Sequence, residues 1–386
     1  MVQLSKGASR IYGEAAFEVL AKAQELERQG KNILHFEIGE PDIETPESIV
    51  NAGIKAIKDK KTHYTPSIGI IELRKAVQDE IEKTRGYRPD LEQIVITPGL
   101  KPGIFFSMLA IVNPGDEVIY QDPGYPTYGS VTSFLGAKGV MIPLLEENEF
   151  RMDPNDIKDK ITRKTKLIIV NSPQNPTGSV MTKSELEEIA EISEKHDIFV
   201  VSDEIYSKMT YETKHYTPTA RDKAKERTVL LDGFSKYYAM TGWRLGYMVA
   251  PVKMAERLQD FLVSAVSCTA AFTQWAGIEA LTGDQSFIPE MMARFKEKRD
   301  RIVEGLNSIP GFSCLSPKGA FYTFPNILET GMTSQECADH LLYNAKVACL
   351  PGTAFGPYGE GYLRFSYATT LENIVAAVER IKKSFE

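Results

Sequence analysis

At 386 residues, with 42% hydrophobic and 25% charged side chains, the chain is too long for one simple core and too ordinary in composition for a disordered or fibrous protein. A net charge of −7 makes nucleic acid and anionic membranes poor partners. The cysteines Cys268, Cys314, Cys337 and Cys349 form no CxxC pair, the histidines form no HExxH, no apolar run reaches ~18 residues, and MVQLSKGASRIYGE has no apolar h-region. These features exclude a disulfide framework and a zinc site, lend a catalytic metal no support, and predict a soluble protein of the cytoplasm.

In chain order, residues 14–29 read as an amphipathic helix closed by Gly30. IGEPD (38–42) reads as a turn. The apolar strand IVIT (94–97) runs into PGLKPG and a helix over 101–111, and a glycine turn at a helix N-terminus offers free N–H groups to an anion. EVIYQ (117–121) is followed by DPGYPTY, which carries Tyr125. LIIVN (167–171) is followed by SPQNPTG, which carries Asn175, and then by a helix opening with Thr182 and Glu185 at capping-box spacing. IFVVS (198–202) leads to DEIY, with Asp203 and Tyr206. TVLL (228–231) leads to DGFSK, with Ser235 and Lys236, and Arg244 lies a short way beyond. Apolar strands alternating with helices predict a mostly parallel central sheet with helices on both faces. The remainder differs: strand-like GAFYTF (319–324), a helix near 336–346, strand-like YLRFSYA (362–368) and an amphipathic helix over 371–384 read as a smaller α+β domain. LTGDQSF (281–287) interrupts the helical pattern and marks the boundary. The expected division is an N-terminal arm and part of the small domain over 1–45, a large domain over 46–285, and a small C-terminal domain over 286–386.

Ligands of open parallel sheets bind beyond the carboxyl ends of the strands. There this sequence gathers phosphate-binding amides, an aromatic ring, an amide, a carboxylate, a phenol and a lysine, the set that a pyridoxal phosphate enzyme needs. Each member alone also reads as ordinary structure. Asp203 could cap a helix, Tyr125 and Tyr206 could be core aromatics, Asn175 before Pro176 is a turn signal, and Arg364 between Leu363 and Phe365 could face solvent.

Taken together, GEPD, YTPSIGIIELR, NSPQNPTG, SDEIY, SKYYAMTGWRLGY and YLRFSYA, in that order over nearly the whole chain, resemble the class I, fold-type I pyridoxal 5′-phosphate-dependent aminotransferases, in the branch containing aspartate aminotransferases. The resemblance implies that Lys236 is the Schiff-base lysine and that Asp203 pairs with the protonated pyridine nitrogen. By the same resemblance Tyr206 and Asn175 bond the phenolic oxygen, and Tyr125 stacks on the cofactor. Arg244, Ser235 and the amides of Leu100 and Lys101 would hold the phosphate. Tyr64 would reach the phosphate of a neighbouring subunit, implying a homodimer with shared active sites. Arg364 would clamp the substrate α-carboxylate, with the backbone of Gly39 close by; Tyr125 and Asn175 would also face the substrate. Two departures stand out. Gly233 replaces a serine found in some relatives, and Pro102 removes one N–H donor at the start of the phosphate-binding helix, where a proline at the first position is tolerated.

The implied partners are an L-amino acid and a 2-oxo acid. By the resemblance to acidic-substrate aminotransferases, Lys101 occupies a position suited to a distal carboxylate, which favours aspartate or glutamate with 2-oxoglutarate; by itself Lys101 also reads as a solvated residue at a helix start. Aromatic substrates remain open, since Tyr12, Tyr64, Tyr125 and Phe355 could line an apolar pocket, and the loop with Ser267 and Thr269 could reach a second subunit's site. The alternative on the same scaffold is a C–S β-lyase, a cyclopropane-forming synthase or a cofactor-dependent oxidase, all of which use the same lysine, aspartate and arginine. A regulator with an aminotransferase-like ligand domain would carry a basic DNA-binding domain first, and the segment before Gly39 leaves room for one helix only.

Overall fold

A computed structural model describes residues 4–386; residues 1–3, the start of the expected N-terminal arm, lie outside the described residues. The strands are β1 (Leu34–His35), β2 (Ile94–Thr97), β3 (Glu117–Asp122), β4 (Lys138–Pro143), β5 (Thr165–Asn171), β6 (Phe199–Asp203), β7 (Thr228–Gly233), β8 (Gly246–Val249), β9 (Tyr322–Thr323), β10 (Val347–Ala348), β11 (Leu350–Pro351) and β12 (Leu363–Ser366). Seven of them form the central sheet in the order β2-β8-β7-β6-β5-β3-β4. Only β8 runs antiparallel to its neighbours.

Alternate residues of one strand enter different cores. Val118, Leu167, Ile169 and Val201 join one hydrophobic cluster, while Ile119, Ile168, Val170 and Val200 join another. Side chains alternate across a sheet, so both faces are covered, which is why these strands read as unbroken apolar runs. Residues of β2, β7 and β8 are buried throughout.

The amphipathic patterns at both ends of the chain form the helices Ala15–Arg28 and Leu371–Ser384. The Thr182–Glu185 box caps Lys183–His196, with Thr182 N–H donating to Glu185 at 2.7 Å. Helix Ala271–Thr282 stops before Phe287–Asn307 begins, so the interruption lies at LTGDQSF. Two strands of the central sheet were not foreseen, nor were the two-residue strands β1, β10 and β11. β4 is a sheet edge, most of it only partly buried, whose apolar run over 140–142 is framed by Gly139 and Pro143, residues that read as turn signals. β8 is four residues long and follows directly on the Arg244 loop.

Three C-terminal elements are shorter than their patterns suggested. In GAFYTF only β9 is strand, because Ala320 takes a positive φ of 54° and Gly319 makes an isolated bridge with Thr210. The helix near 336–346 is Ser334–His340, capped by Thr333 and Glu336, followed by a wider π turn over Leu341–Ala345. YLRFSYA contributes β12. This strand lies between β11 and β9 in a small antiparallel sheet, and β1 pairs in parallel with β10.

Among the described residues no helix is long and apolar enough to cross a membrane, no cluster of His, Cys, Asp or Glu is arranged to hold a metal, and the four cysteines are unpaired.

Candidate active site

A cavity of about 390 Å³ lies where β2, β5, β6 and β7 end, and residues near the chain termini close it. Leu100, Lys101, Tyr125, Asn175, Asp203, Tyr206, Ser235, Lys236, Arg244, Gly39 and Arg364 all line it. Parallel strands deliver their carboxyl ends to one edge, and the small sheet brings Arg364 on β12, with Gly39 just after β1, to the same cleft.

Asp203 is the last residue of β6 and only 3% exposed. Its carboxylate accepts from the Tyr128 hydroxyl at 2.7 Å and the Ile205 N–H at 3.3 Å. Burial raises its pKa from 3.8 to about 6, and those hydrogen bonds hold the rise in check. At neutral pH it is a buried anion with no cation in contact. Asn171, at the end of β5, ties the neighbouring turns together: its Nδ2 donates to the Asp203 carbonyl at 3.0 Å and its Oδ1 accepts from the Asn175 N–H at 3.0 Å.

Lys236 Nζ donates to the Gly39 carbonyl at 2.5 Å. Loss of water around the amine lowers its pKa from 10.5 to about 8; Glu40 and Glu14 oppose the fall, while Arg364 and Lys101 assist it. Gly39 has no room for a Cβ, which would collide with the Tyr322 hydroxyl. That hydroxyl bonds the Tyr206 hydroxyl at 2.7 Å, and burial pushes the Tyr206 phenol well above its ordinary pKa. Tyr125 meets Tyr128 edge to face at 5.7 Å.

At the end of β2, Gly99 takes φ 83° and precedes helix Leu100–Ile111, whose first turn no side chain caps. A Cβ there would strike the Arg244 guanidinium, so a helix N-terminus and an arginine share one spot. Pro102 is the third helical residue rather than the first. It still falls within the turn whose N–H groups have no intrahelical acceptor, so its missing donor breaks no helix bond. Arg244 itself sits at φ 53° and donates to the Thr241 carbonyl at 2.7 Å.

Arg364 on β12 is 3% exposed, which rules out a solvent-facing arginine. Its guanidinium lies 4.7 Å from the Tyr322 ring and 5.3 Å from that of Phe355, and one nitrogen donates to the Glu37 carbonyl. Besides Glu37 Oε2, two buried atoms of the cavity lining have no partner: Arg364 Nε and Asn175 Oδ1. Buried polar groups left unpaired are costly, and an acidic ligand with an adjacent hydroxyl or amine would satisfy both.

Of the aromatic residues expected to line an apolar pocket, three stand outside this chain's own cleft. Tyr64 does not line this cleft and is 88% exposed. Tyr12 lies outside as well, with its N–H held by Ser130 at 3.0 Å, and Phe355 is packed under Arg364 instead of facing the cavity. The aromatic lining comes from Tyr125 together with Phe17, Tyr128, Tyr206 and Tyr322. Ser267 and Thr269 are also absent from it. Glu14, Asn171, Tyr128 and Tyr322 went unrecognised from sequence; of these, Tyr128 shares the DPGYPTY run with Tyr125, and Tyr322 sits in GAFYTF.

The cleft thus combines a backbone-and-arginine anion site, a buried carboxylate awaiting a cation, an amine of depressed basicity and a buried arginine with an unused donor. This set fits a phosphorylated pyridinium aldehyde beside an amino acid. Residues 31–381 match the family described as aminotransferase class I and II. The chain is 41% identical over 371 residues to an aspartate aminotransferase of Pyrococcus horikoshii, covering 96% of this chain and 94% of that one. It is 39% identical to aromatic-amino-acid aminotransferase 2 of Thermococcus litoralis, covering 94% of each. The solved structure of Thermus thermophilus aspartate aminotransferase with maleate superposes with a TM-score of 0.95 at 36% identity, covering 100% of both chains. These relatives favour transamination over the lyase, synthase and oxidase chemistries. The chain belongs to the class I and II aminotransferases and is a fold-type I, pyridoxal 5′-phosphate-dependent transaminase.

Proposed function

We propose that the protein moves the amino group of L-aspartate or L-glutamate to a 2-oxo acid such as 2-oxoglutarate, and that aromatic amino acids are secondary donors. The observation that carries this reading is the presence of two further cations in one cleft besides the phosphate-site arginine and the cofactor-binding lysine: buried Arg364 and partly exposed Lys101. A dicarboxylic amino acid presents two anions to match them.

Pyridoxal phosphate, when bound, supplies an electron sink that makes the substrate α-hydrogen acidic. Asp203 stays ionised at neutral pH and holds a proton on the ring nitrogen. Lys236 would hold the group through its aldehyde carbon and, once free, would take the substrate α-proton on Nζ and return it, a task suited to an amine with a pKa near 8. Tyr206 and Asn175 bond the phenolic oxygen. Arg244, Ser235 and the amides of Leu100 and Lys101 bind the phosphate. The Tyr125 ring packs on the pyridine. Arg364 fixes the α-carboxylate beside the Gly39 backbone, through its plane of parallel N–H donors. Tyr64, remote from this chain's cleft, serves the phosphate of the second subunit in a homodimer. The small domain comprises part of residues 1–45 and residues 286–386, and the large domain 46–285, a division supported by the pairing of β1 with β10. Unpaired cysteines support a cytoplasmic setting.

The test is to titrate the holoprotein with single amino acids, without oxo acid, and follow cofactor absorbance. Stoichiometric conversion by aspartate and glutamate, reversed by 2-oxoglutarate, is expected. Steady release of ammonia, sulfide or a cyclised product, without conversion of the cofactor, would overturn the reading.

A further inference from the structure

Glu14 occupies the position just before helix Ala15–Arg28, yet its carboxylate makes no capping bond to that helix. It reaches across the cleft instead, where Oε1 accepts from the Tyr125 hydroxyl at 2.8 Å and meets Lys101 Nζ at 2.5 Å. The side chains are 22% and 50% exposed respectively, so this is a partly solvated ion pair of the kind that exchanges readily. Both members line the cavity that also holds Lys236 and Arg364.

A transaminase runs two half-reactions in one cleft, so donor and acceptor side chains must occupy the same space. A bare Lys101 would suit a dicarboxylate and would be left without a counter-charge beside an uncharged side chain. With Glu14 in place the cation is satisfied in both cases. We infer that Glu14 is a specificity-determining residue: it holds Lys101 while the bound side chain is uncharged and yields it to the distal carboxylate of an acidic substrate. One carboxylate replaces another, so Lys101 keeps a partner throughout. The released Glu14 turns to water, where residues 11–13 before it are already exposed. The inference rests on the proposed transamination of acidic amino acids and adds a residue that holds back their binding.

The experiment compares the parent holoenzyme with Glu14→Gln, which keeps an acceptor for Tyr125 and leaves Lys101 without a counter-charge. Measured are kcat/KM for L-aspartate and L-phenylalanine, and the dissociation constant of succinate, a dicarboxylate without an amino group, from the perturbed cofactor spectrum. Removing the competing carboxylate is expected to raise kcat/KM for aspartate and to tighten succinate about tenfold, while phenylalanine falls about threefold. A ratio of the two kcat/KM values within about twofold of the parent, or both substrates moving together, overturns the inference. Should the parent fail to transaminate, the proposed function falls, and the succinate comparison still reads whether Glu14 competes for Lys101.

Discussion

Asp203 is an acid that the unliganded fold tolerates at a cost. Its pKa is raised in the folded chain, so the native state binds more protons than the unfolded one between pH 3.8 and about 6. Stability is therefore fully present below 3.8 and lost as pH rises toward 6, the reverse of a salt-bridged aspartate. Asp203→Asn is expected to make the cofactor-free protein more stable by about 2–3 kcal/mol at pH 7, with the gain shrinking toward pH 4. Urea unfolding of both cofactor-free proteins across that range checks it, and equal stability at pH 7 would refute it. The same variant should bind pyridoxal phosphate poorly and lose turnover. Arg364 makes the complementary prediction. Lysine offers a point charge in place of a planar fork, so Arg364→Lys should raise KM for amino acids about 100-fold, with kcat less affected. Steady-state kinetics at saturating oxo acid reads the split.

At the level of elements, the phosphate site depends on a turn that only glycine fits. Gly99 combines positive φ with contact against Arg244, so Gly99→Ala should weaken cofactor binding at least about tenfold while leaving the far-UV circular dichroism unchanged. Equilibrium dialysis against pyridoxal phosphate measures it. This turn was readable in PGLKPG because glycine, lysine and an apolar helix follow a short strand. The buried strands β2, β5 and β7 and the box at Thr182 and Glu185 were readable for the same reason: each is a local pattern with a local cause. β4 was not, since its three apolar residues stand between Gly139 and Pro143, which read as turn signals. The bonds from Tyr128 to Asp203, Tyr322 to Tyr206 and Glu14 to Lys101 were not either. Each joins residues dozens to hundreds of positions apart, and nothing in either segment encodes its partner.

Across the whole molecule, the role proposed for Tyr64 is the one that reaches beyond one chain. It stands 88% exposed, and Ile54 and Ile57 on the preceding helix Glu47–Lys58 are also exposed. Sedimentation is expected to give a dimer at micromolar concentration, and Tyr64→Phe, which deletes one hydroxyl, should raise the dissociation constant of pyridoxal phosphate about tenfold. A monomer that binds the cofactor with undiminished affinity would refute the shared site.

The pairing of β1 with β10 ties Leu34 to Val347 and His35 to Ala348. During synthesis the first strand therefore waits for nearly the whole chain to emerge before it finds its neighbour. Ala23 and Ile33, buried against Leu342 and Ala348 in the finished protein, stay uncovered for that interval. A ribosome stalled short of residue 347 would carry a central sheet able to form but an N-terminal helix lacking part of the surface on which it docks. That helix is the segment where a chaperone would be expected to hold the nascent chain.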